Sequence, residues 1–366
     1  MNDLGIVVDG MRFKNPFILA SGPPGTNAKV IKRTFELGWG GMVAKTISLD
    51  NSKVINVAPR YGKLPAEPGS KRTMAFQNIE LISDRPFDVW LDELADIKAC
   101  YPDHMLIASI MEECEKDRWI EITERVQATG VDAFELNLSC PHGLPERKMG
   151  AAMGQNAEIV SEVVSWVKSV STVPVWAKMT PNITDITVPS RAAVDAGAEG
   201  LSAINTILGI IGINLETLRP MPTVEGYSEP GGTSGPAVRP MALRQCMEIA
   251  RACPNASLSG MGGVETAEDA AMFLLVGAST VQVCTAAMLQ GYEMIEGLLQ
   301  GLSSFMDKHN FKTVEEIVGQ SLPFFTTHAD LVERQRDARR AHAGKTSGDD
   351  NWKGDIAGET DALVTD

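Results

Sequence analysis

The sequence lacks several features that would place it in large classes of protein. Its 366 residues contain no run of about 18 apolar residues, and its start lacks the basic and apolar segments of a signal peptide. The six cysteines form no Cys-x-x-Cys pair, which argues against an iron–sulfur cluster or a metal site. We therefore expect a cytoplasmic protein with reduced cysteines, no bound metal and no membrane contact.

Positive charge is also scarce. The chain has 33 Lys and Arg against 47 Asp and Glu, and the resulting net charge of −14 would repel a nucleic-acid backbone. A hydrophobic content of 44% with 22% charged residues is ordinary for a globular protein with a large core. The composition thus excludes a wholly disordered chain and disfavours nucleic-acid binding.

Short apolar or β-branched runs recur along the chain, and most are followed by a stretch with helical spacing. The runs occupy residues 17–21, 41–46, 106–110, 133–137, 175–180, 200–206, 257–260 and 280–285. Alternating strands and helices require parallel strands with helical crossovers, and eight such units close into a barrel. The pattern predicts an α/β protein, a (β/α)8 TIM barrel over residues 1–320, with an N-terminal hairpin that turns at Asp9-Gly10.

Helical spacing is clear over residues 119–129, 159–170, 188–196 and 267–275. Two connections, 47–79 and 207–239, are too long for simple turns and follow strand C-terminal ends, so we expect long loops there that act as lids or partner surfaces. Residues 321–366 are predicted to be a C-terminal extension, partly disordered or docking to a partner.

Polar residues at the strand C-termini should converge on one mouth of the barrel. They are Ser21, Lys45, Thr46, Ser109, Asn137, Lys178, Asn205 and Thr206. A lysine within an apolar strand is costly to bury unless it is paired or meets an electron-rich ligand. The two lysines either cap their strands through salt bridges or, with the amides beside them, bind a polar heterocycle.

Glycines mark a second part of the same mouth. Gly260-Met261-Gly262-Gly263 ends the seventh strand, and Cys284-Thr285 ends the eighth. Loops after these two strands commonly bind phosphate in barrels, because glycine lets backbone N–H groups approach the anion. A phosphate subsite is therefore expected there.

Two cysteines are candidate acids for chemistry at this mouth. Cys140 follows the fourth strand and Cys114 follows the third. A thiol on a loop over the mouth can deliver a proton and recover it from solvent. The residues alone leave both thiols open, together with the possibility that each is an incidental loop cysteine.

The motifs taken together resemble the flavin domain of the dihydropyrimidine dehydrogenases, within the dihydroorotate dehydrogenase-like barrels. The resemblance covers about residues 4–320. The motifs are 13–17 (FKNPF), 44–46 (AKT), 78–80 (NIE), 137–142 (NLSCPH), 177–182 (AKMTPN), 203–206 (AINT), Ser234-Gly235 with Arg239-Pro240, Gly262-Gly263 and 282–284 (QVC).

The resemblance implies that FMN is the cofactor and assigns residues to it and to a pyrimidine. The cofactor residues are Ala20, Ser21, Lys45, Thr46, Asn137, Lys178, Asn205, Gly235, Gly262, Gly263, Cys284 and Thr285, the last four of them at its phosphate. The substrate residues are Asn78, Glu80, Asn137, Asn205 and Thr206. Amide and hydroxyl groups suit a ring edged with alternating C=O and N–H groups.

The resemblance also implies a mechanism in which FMN N5 exchanges a hydride with pyrimidine C6. Cys140 gives a proton to C5, Ser139 supports the loop or relays a proton, and Lys178 stabilises the reduced flavin. Relatives of this kind receive electrons from NAD(P)H through FAD and iron–sulfur clusters. Because this sequence has no cluster motif, we expect a separate electron-transfer subunit or ferredoxin, and a homo- or hetero-oligomer.

Two other functions remain open. A dihydroorotate dehydrogenase would need a cation for the substrate carboxylate, whereas Glu80 puts a carboxylate near the mouth. A flavin-binding scaffold without activity would not need Cys140, Lys178 and both asparagines.

Overall fold

The structure is a computed structural model, and it describes residues 2–140 and 150–341. The chain divides into two compact units, Met1–Leu322 and Pro323–Asp366. Within the described ranges no helix combines the length and the apolar character needed to cross a membrane.

The first unit is built on a closed barrel of eight parallel strands. In the described residues the strands are β1 (Ile6–Val8), β2 (Met11–Phe13), β3 (Phe17–Leu19), β4 (Gly41–Val43), β5 (Tyr61–Pro65), β6 (Thr73–Asn78), β7 (Met105–Ile110), β8 (Ala133–Asn137), β9 (Val175–Lys178), β10 (Gly200–Ala203), β11 (Ile207–Gly209), β12 (Gly212–Asn214), β13 (Arg219–Met221), β14 (Gly231–Ser234), β15 (Ser257–Met261) and β16 (Thr280–Val283). The barrel order is β3-β4-β7-β8-β9-β10-β15-β16, and β16 closes on β3. Each predicted apolar run overlaps one barrel strand, so the predicted (β/α)8 architecture is confirmed.

Helices with one apolar face cover the barrel. They are α1 (Ala28–Glu36), α2 (Phe87–Cys100), α3 (Lys116–Gln127), α4 (Ala151–Gly154), α5 (Ala157–Lys168), α6 (Thr187–Asp195), α7 (Arg239–Ala252), α8 (Ala267–Leu275), α9 (Thr285–Gln290) and α10 (Ile295–His309). On α5 the buried residues Val160, Val163, Val164 and Val167 share one face. Burial of each such side chain stabilises the fold by about 1.5–3 kcal/mol relative to exposure.

The hairpin β1–β2 closes the end of the barrel opposite the site. Its two-residue turn has positive φ at Asp9 (50°) and Gly10 (82°), as the sequence predicts for an Asp-Gly turn. The Asp9 carboxylate accepts hydrogen bonds from Trp176 Nε1 and Ser257 Oγ, which lie near the N-terminal ends of β9 and β15. These contacts attach the hairpin to the barrel.

Both long connections contain strands, where the sequence indicated loops. β5 and β6 lie in the first and β11 to β14 in the second; β11-β14-β6-β5 form an antiparallel sheet, and β12–β13 form a separate hairpin. The strands are only three to six residues long and include Gly231 and Gly232, so their alternation is too short to recognise in the sequence. The sheet carries Phe76 and Asn78 to the barrel mouth.

In the second unit, the described residues contain helix α11 (His328–Ala341). The helix lies within the extension that the sequence predicted to be partly disordered or partner-docking. The rest of that extension, residues 342–366, lies outside the described residues.

Candidate active site

A cavity of about 1170 Å³, its open mouth included, lies at the C-terminal ends of the barrel strands. This is the face on which barrel enzymes place their sites. The predicted site residues that line it are Ala20, Ser21, Lys45, Thr46, Asn78, Glu80, Asn137, Cys140, Lys178, Asn205, Thr206, Gly235, Gly262, Gly263, Cys284 and Thr285. Ser139 does not line it, and neither does Ser109, which was also expected at the mouth; Ser109 is buried and its hydroxyl lies 2.8 Å from Thr46 Oγ1.

Ser139 lies behind the cavity wall and orients two of the amides. Its hydroxyl accepts a hydrogen bond from Asn205 Nδ2 at 2.9 Å and donates one to Asn137 Oδ1 at 3.2 Å. Asn137 Nδ2 in turn donates to Thr46 Oγ1 at 2.9 Å. The backbone N–H groups of Ser139 and Thr206, which can only donate, bond to Asn137 Oδ1 and Asn205 Oδ1 and so fix which end of each amide is oxygen.

The floor of the cavity holds Lys178 over a carboxylate that the sequence did not single out. Lys178 Nζ lies 3.1 Å from Glu135 Oε1, and both side chains are buried. Gln282 Nε2 donates to Glu135 Oε2 at 2.9 Å, so the orientation of this amide is fixed by an acceptor-only partner. Gln282 Oε1 is buried and finds no hydrogen-bond partner among the described residues.

A second lysine on the cavity wall belongs to a charged cluster. Lys45 Nζ lies 2.9 Å from Glu80 Oε2, and Arg60 Nη1 lies 3.2 Å from Glu80 Oε1. Burial, with the nearby Glu80 charge, raises the pKa of the Tyr61 phenol, so this group stays neutral. Both strand-end lysines are therefore ion-paired and also line the cavity, so salt bridges do not remove them from the candidate site.

Glycines wall the end of the cavity where a phosphate was predicted. Gly235 and Gly263 have φ values of 87° and 73°, and a Cβ on Gly263 would lie 2.7 Å from the Gly235 carbonyl oxygen. Ser234 Oγ and Thr285 Oγ1 are 2.8 Å apart beside them. Close backbone approach and hydroxyl donors are the features that bind a phosphate.

The structure separates the two candidate thiols. Cys140 lines the cavity and packs against Ile82 and Met111, and its carbonyl accepts the Ala151 N–H at 2.9 Å. Cys114 instead packs against the hydrophobic core of the barrel. The loop predicted to follow Cys140, residues 141–149, lies outside the described residues.

Cys284, predicted at the phosphate end, has a strongly perturbed thiol. Burial raises its pKa to about 11, although Lys178 and Lys45 oppose the shift. A Cβ on Gly22 would lie 2.6 Å from its sulfur, so the thiol is held in a tight space. At neutral pH the thiol is therefore protonated and uncharged, and it forms part of the cavity wall.

Several cavity residues escaped the sequence analysis as site residues. They include Gly22, Tyr61, Phe76, Ile204, Ser234, Glu265 and Gln282. Ser234 and Gln282 lie within motifs that carry the family resemblance, so the sequence could have identified them as site residues. Tyr61 and Phe76 lie on strands of the sheet that the sequence did not reveal.

The fold and the site together define a class of protein: a β/α barrel with a polar cavity at the C-terminal ends of its strands, bordered by glycine turns and a cysteine. The chain belongs to the dihydroorotate dehydrogenase family, whose sequence profile matches residues 4–306.

Within this family the chain is similar to three relatives of named activity. The chain is 53% identical to the dihydropyrimidine dehydrogenase (NADP(+)), chloroplastic, of Arabidopsis thaliana, over 99% of this chain and 88% of the relative. It is 41% identical to the NAD-dependent dihydropyrimidine dehydrogenase subunit PreA of Escherichia coli (strain K12), over 87% of this chain and 76% of the relative. It is 36% identical to the dihydroorotate dehydrogenase B (NAD(+)), catalytic subunit, of Pyrococcus abyssi, over 86% and 97%.

A solved structure agrees in fold. The dihydroorotate dehydrogenase of Eimeria tenella in complex with ferulenol matches with a TM-score of 0.72 and 21% identity, over 87% of this chain and 88% of that one. The resemblance to dihydropyrimidine dehydrogenases is thus confirmed, and the chain is an oxidoreductase that acts on CH–CH groups.

Proposed function

We propose that this enzyme reduces a pyrimidine, uracil or thymine, to the 5,6-dihydropyrimidine with bound FMN. The observation that carries the proposal is the convergence in one cavity of a thiol, Cys140, with three asparagine amides and the ammonium of Lys178. The relatives named dihydropyrimidine dehydrogenase support the choice of substrate.

The residues present fit FMN. Gly235, Gly262 and Gly263 leave the phosphate end free of side chains, and the unpartnered Gln282 Oε1 offers an acceptor to a donor on the bound group. FMN, when bound, supplies the hydride that passes from its N5 to pyrimidine C6. Lys178 would supply positive charge at the N1 and O2 edge of the flavin ring, where negative charge develops on reduction.

The amide and hydroxyl groups of the cavity would recognise the pyrimidine edge. Asn78, Asn137, Asn205 and Thr206 offer both donors and acceptors, and Asn78 is fixed by donating from Nδ2 to the Gly232 carbonyl at 3.1 Å. A buried polar group of the substrate left without a partner would cost about 1–3 kcal/mol. The set therefore selects a ring with alternating C=O and N–H groups.

Cys140 would act as the general acid and protonate C5 on the ring face opposite the hydride. Its thiol already borders the cavity, whereas Ser139 contacts the amides of Asn137 and Asn205. We therefore propose that Ser139 holds the two amides in the orientations that the substrate requires.

One observation supports a second candidate, oxidation of dihydroorotate to orotate. The Glu80 carboxylate, which disfavours an anionic substrate, is compensated by Lys45 and Arg60, so the cluster carries more positive than negative charge. Arg60 itself is outside the cavity lining, and the more similar relatives carry the dihydropyrimidine name. Pyrimidine reduction remains our proposal.

Electrons would come from outside this sequence. It contains no Cys-x-x-Cys pair, so we propose a separate subunit or ferredoxin that carries FAD and iron–sulfur clusters and docks to this enzyme in an oligomer. The Escherichia coli relative is named a subunit. Six cysteines that form no disulfide fit a reducing compartment, and we propose the cytoplasm, although the Arabidopsis thaliana relative is named chloroplastic.

Steady-state assays test the substrate directly. Purified protein reconstituted with FMN is given dihydrouracil or dihydroorotate with an artificial electron acceptor, which removes the need for the partner. We expect turnover of dihydrouracil. Turnover of dihydroorotate alone would establish the second candidate instead.

A further inference from the structure

A fully buried carboxylate, Glu135, lies beneath the cavity and has no part in the function proposed above. Its Oε1 pairs with Lys178 Nζ at 3.1 Å, and its Oε2 accepts hydrogen bonds from Ser202 Oγ at 2.8 Å and Gln282 Nε2 at 2.9 Å. Removing two charges from water is costly, and apolar packing of the same volume is often as stable. Stability alone is therefore a weak reason for an ion pair at this depth.

Lys178 relies on Glu135 for its compensating charge. Among the described residues, Glu135 is the carboxylate in ion-pair contact with it. The neighbouring thiol of Cys284 is neutral near pH 7, and the other lysine at the mouth, Lys45, pairs with Glu80. An ammonium buried without a carboxylate favours its neutral amine form.

We infer that Glu135 is a positioning residue that keeps Lys178 charged and fixed beneath the flavin, so that reduction of the flavin takes up one proton for two electrons. This inference rests on the proposed binding of FMN. The balanced step is FMN + 2e⁻ + H⁺ → FMNH⁻, in which Lys178, already an ammonium, compensates the new negative charge. Without the carboxylate, the neutral amine would accept a second proton during the same step.

The test is the midpoint potential of FMN bound to the whole protein, measured against reference dyes across the neutral pH range with dithionite as reductant. One proton per two electrons makes the potential of the native protein fall by about 30 mV per pH unit, since a tenfold change in an equilibrium constant is about 30 mV for two electrons. In Glu135→Gln we expect two protons and about 60 mV per pH unit.

Two control variants isolate the effect. Asp132→Asn also removes a carboxylate paired with a lysine, Lys98 at 2.8 Å, but at the start of β8, away from the cavity. Its slope should equal that of the native protein. The double variant Glu135→Gln with Lys178→Met leaves no lysine to take up a proton and no cation beside the reduced flavin, so its potential should fall below that of the native protein.

An unchanged slope in Glu135→Gln, or an equal steepening in Asp132→Asn, would overturn the inference. If Glu135→Gln fails to retain FMN, the double variant decides. Recovered binding shows that the loss came from Lys178 without its carboxylate partner and supports the pairing, while continued loss assigns Glu135 to packing alone and overturns the inference. Failure of the native protein to bind FMN contradicts the proposed function, so the two failures are distinct.

Discussion

The thiol of Cys140 borders the cavity, and this placement makes its role testable by substitution. We expect Cys140→Ala to retain FMN and to lose reductive turnover by about 10²–10⁴-fold, the usual contribution of a general acid. Cys140→Ser should keep a small residual rate, because a hydroxyl is a poorer acid. Rates of uracil reduction at equal flavin content, with a chemically reduced electron donor, measure both effects.

Cys114→Ala is the matched control, since Cys114 packs against the barrel core away from the cavity lining. Its rate should stay near that of the native protein. A loss comparable to that of Cys140→Ala would identify Cys114 as the acid, and unchanged rates in both Cys140 variants would contradict the proton-donor assignment.

Glu80 contributes the negative charge of the part of the cavity where we propose that the substrate binds. Its carboxylate lies between Lys45 and Arg60, so Glu80→Gln leaves two cations without their partner. We expect orotate to bind this variant about tenfold more tightly, about 1.4 kcal/mol, and uracil to bind more weakly. Equilibrium titration of the flavin absorbance with each ligand gives the two dissociation constants.

Glu265→Gln is the control for that substitution. Glu265 also lines the cavity, and burial raises the pKa of its carboxyl, but it follows the glycine pair Gly262-Gly263, where we propose that the phosphate binds. Its removal should leave the ratio of orotate to uracil affinity unchanged. An unchanged ratio in Glu80→Gln would show that Glu80 does not govern discrimination by charge.

The Cys284 thiol gives a prediction about pH. Burial raises its pKa to about 11, so near pH 8 it stays protonated and should resist iodoacetamide, while the exposed Cys100 reacts. The protonated thiol makes its whole contribution to stability below pH 9.0, the pKa of the thiol in the unfolded chain. That contribution is lost as the pH rises through about 11, the pKa in the folded protein. Mass spectrometry of the alkylated peptides measures both sites, and equal labelling near pH 8 would refute the assignment.

At the scale of elements, the turn after β15 brings its backbone close to the turn after β14. Gly263 has a φ of 73°, and an added Cβ would lie 2.7 Å from the Gly235 carbonyl oxygen. Gly263→Ala should therefore displace both turns and weaken FMN binding by at least about tenfold, or 1.4 kcal/mol. Fluorescence titration of the apoprotein with FMN measures the change.

Gly69→Ala is the control for this substitution. It introduces similar backbone strain but displaces none of the residues beside Gly263. Gly69 has a similar φ of 81°, but a Cβ there would meet no atom within 4 Å. Its substitution should cost some stability and leave FMN affinity unchanged. If both variants bind FMN like the native protein, the glycine wall is not the phosphate site.

The barrel elements could be predicted from the sequence, and the added sheet could not. A strand such as Ala133–Asn137 is buried on both faces and reads as an apolar run, and the helix that follows at Ala157–Lys168 shows its period clearly. Strand Gly231–Ser234 has glycines where side chains would reveal alternation, and its partners lie far away in the chain. Pairing of that kind leaves little local signal.

The same distinction holds for the site. Lys178 and Asn137 were predictable because strand C-termini converge in any barrel. Their partners were not: Glu135 contacts Lys178 from the neighbouring strand, and Ser139 turns away from the cavity to hold two amides. These contacts depend on side-chain direction, which spacing alone does not give.

At the scale of the whole molecule, closure of the barrel brings together residues that are distant in the chain. Thr46 and Asn137, 91 positions apart, share a hydrogen bond, and so do Glu135 and Gln282, 147 positions apart. The residues that line the cavity, from Ala20 to Met288, all lie within the unit Met1–Leu322. The electrons, by our proposal, must enter from another protein.

The most direct test of flavin-dependent pyrimidine reduction is a single turnover. The FMN-loaded protein is reduced chemically without oxygen and mixed with uracil, thymine or orotate while the flavin absorbance is followed. The account predicts rapid reoxidation by uracil or thymine, with one dihydropyrimidine formed per flavin. Reoxidation by orotate alone, or by no pyrimidine at all, would contradict it.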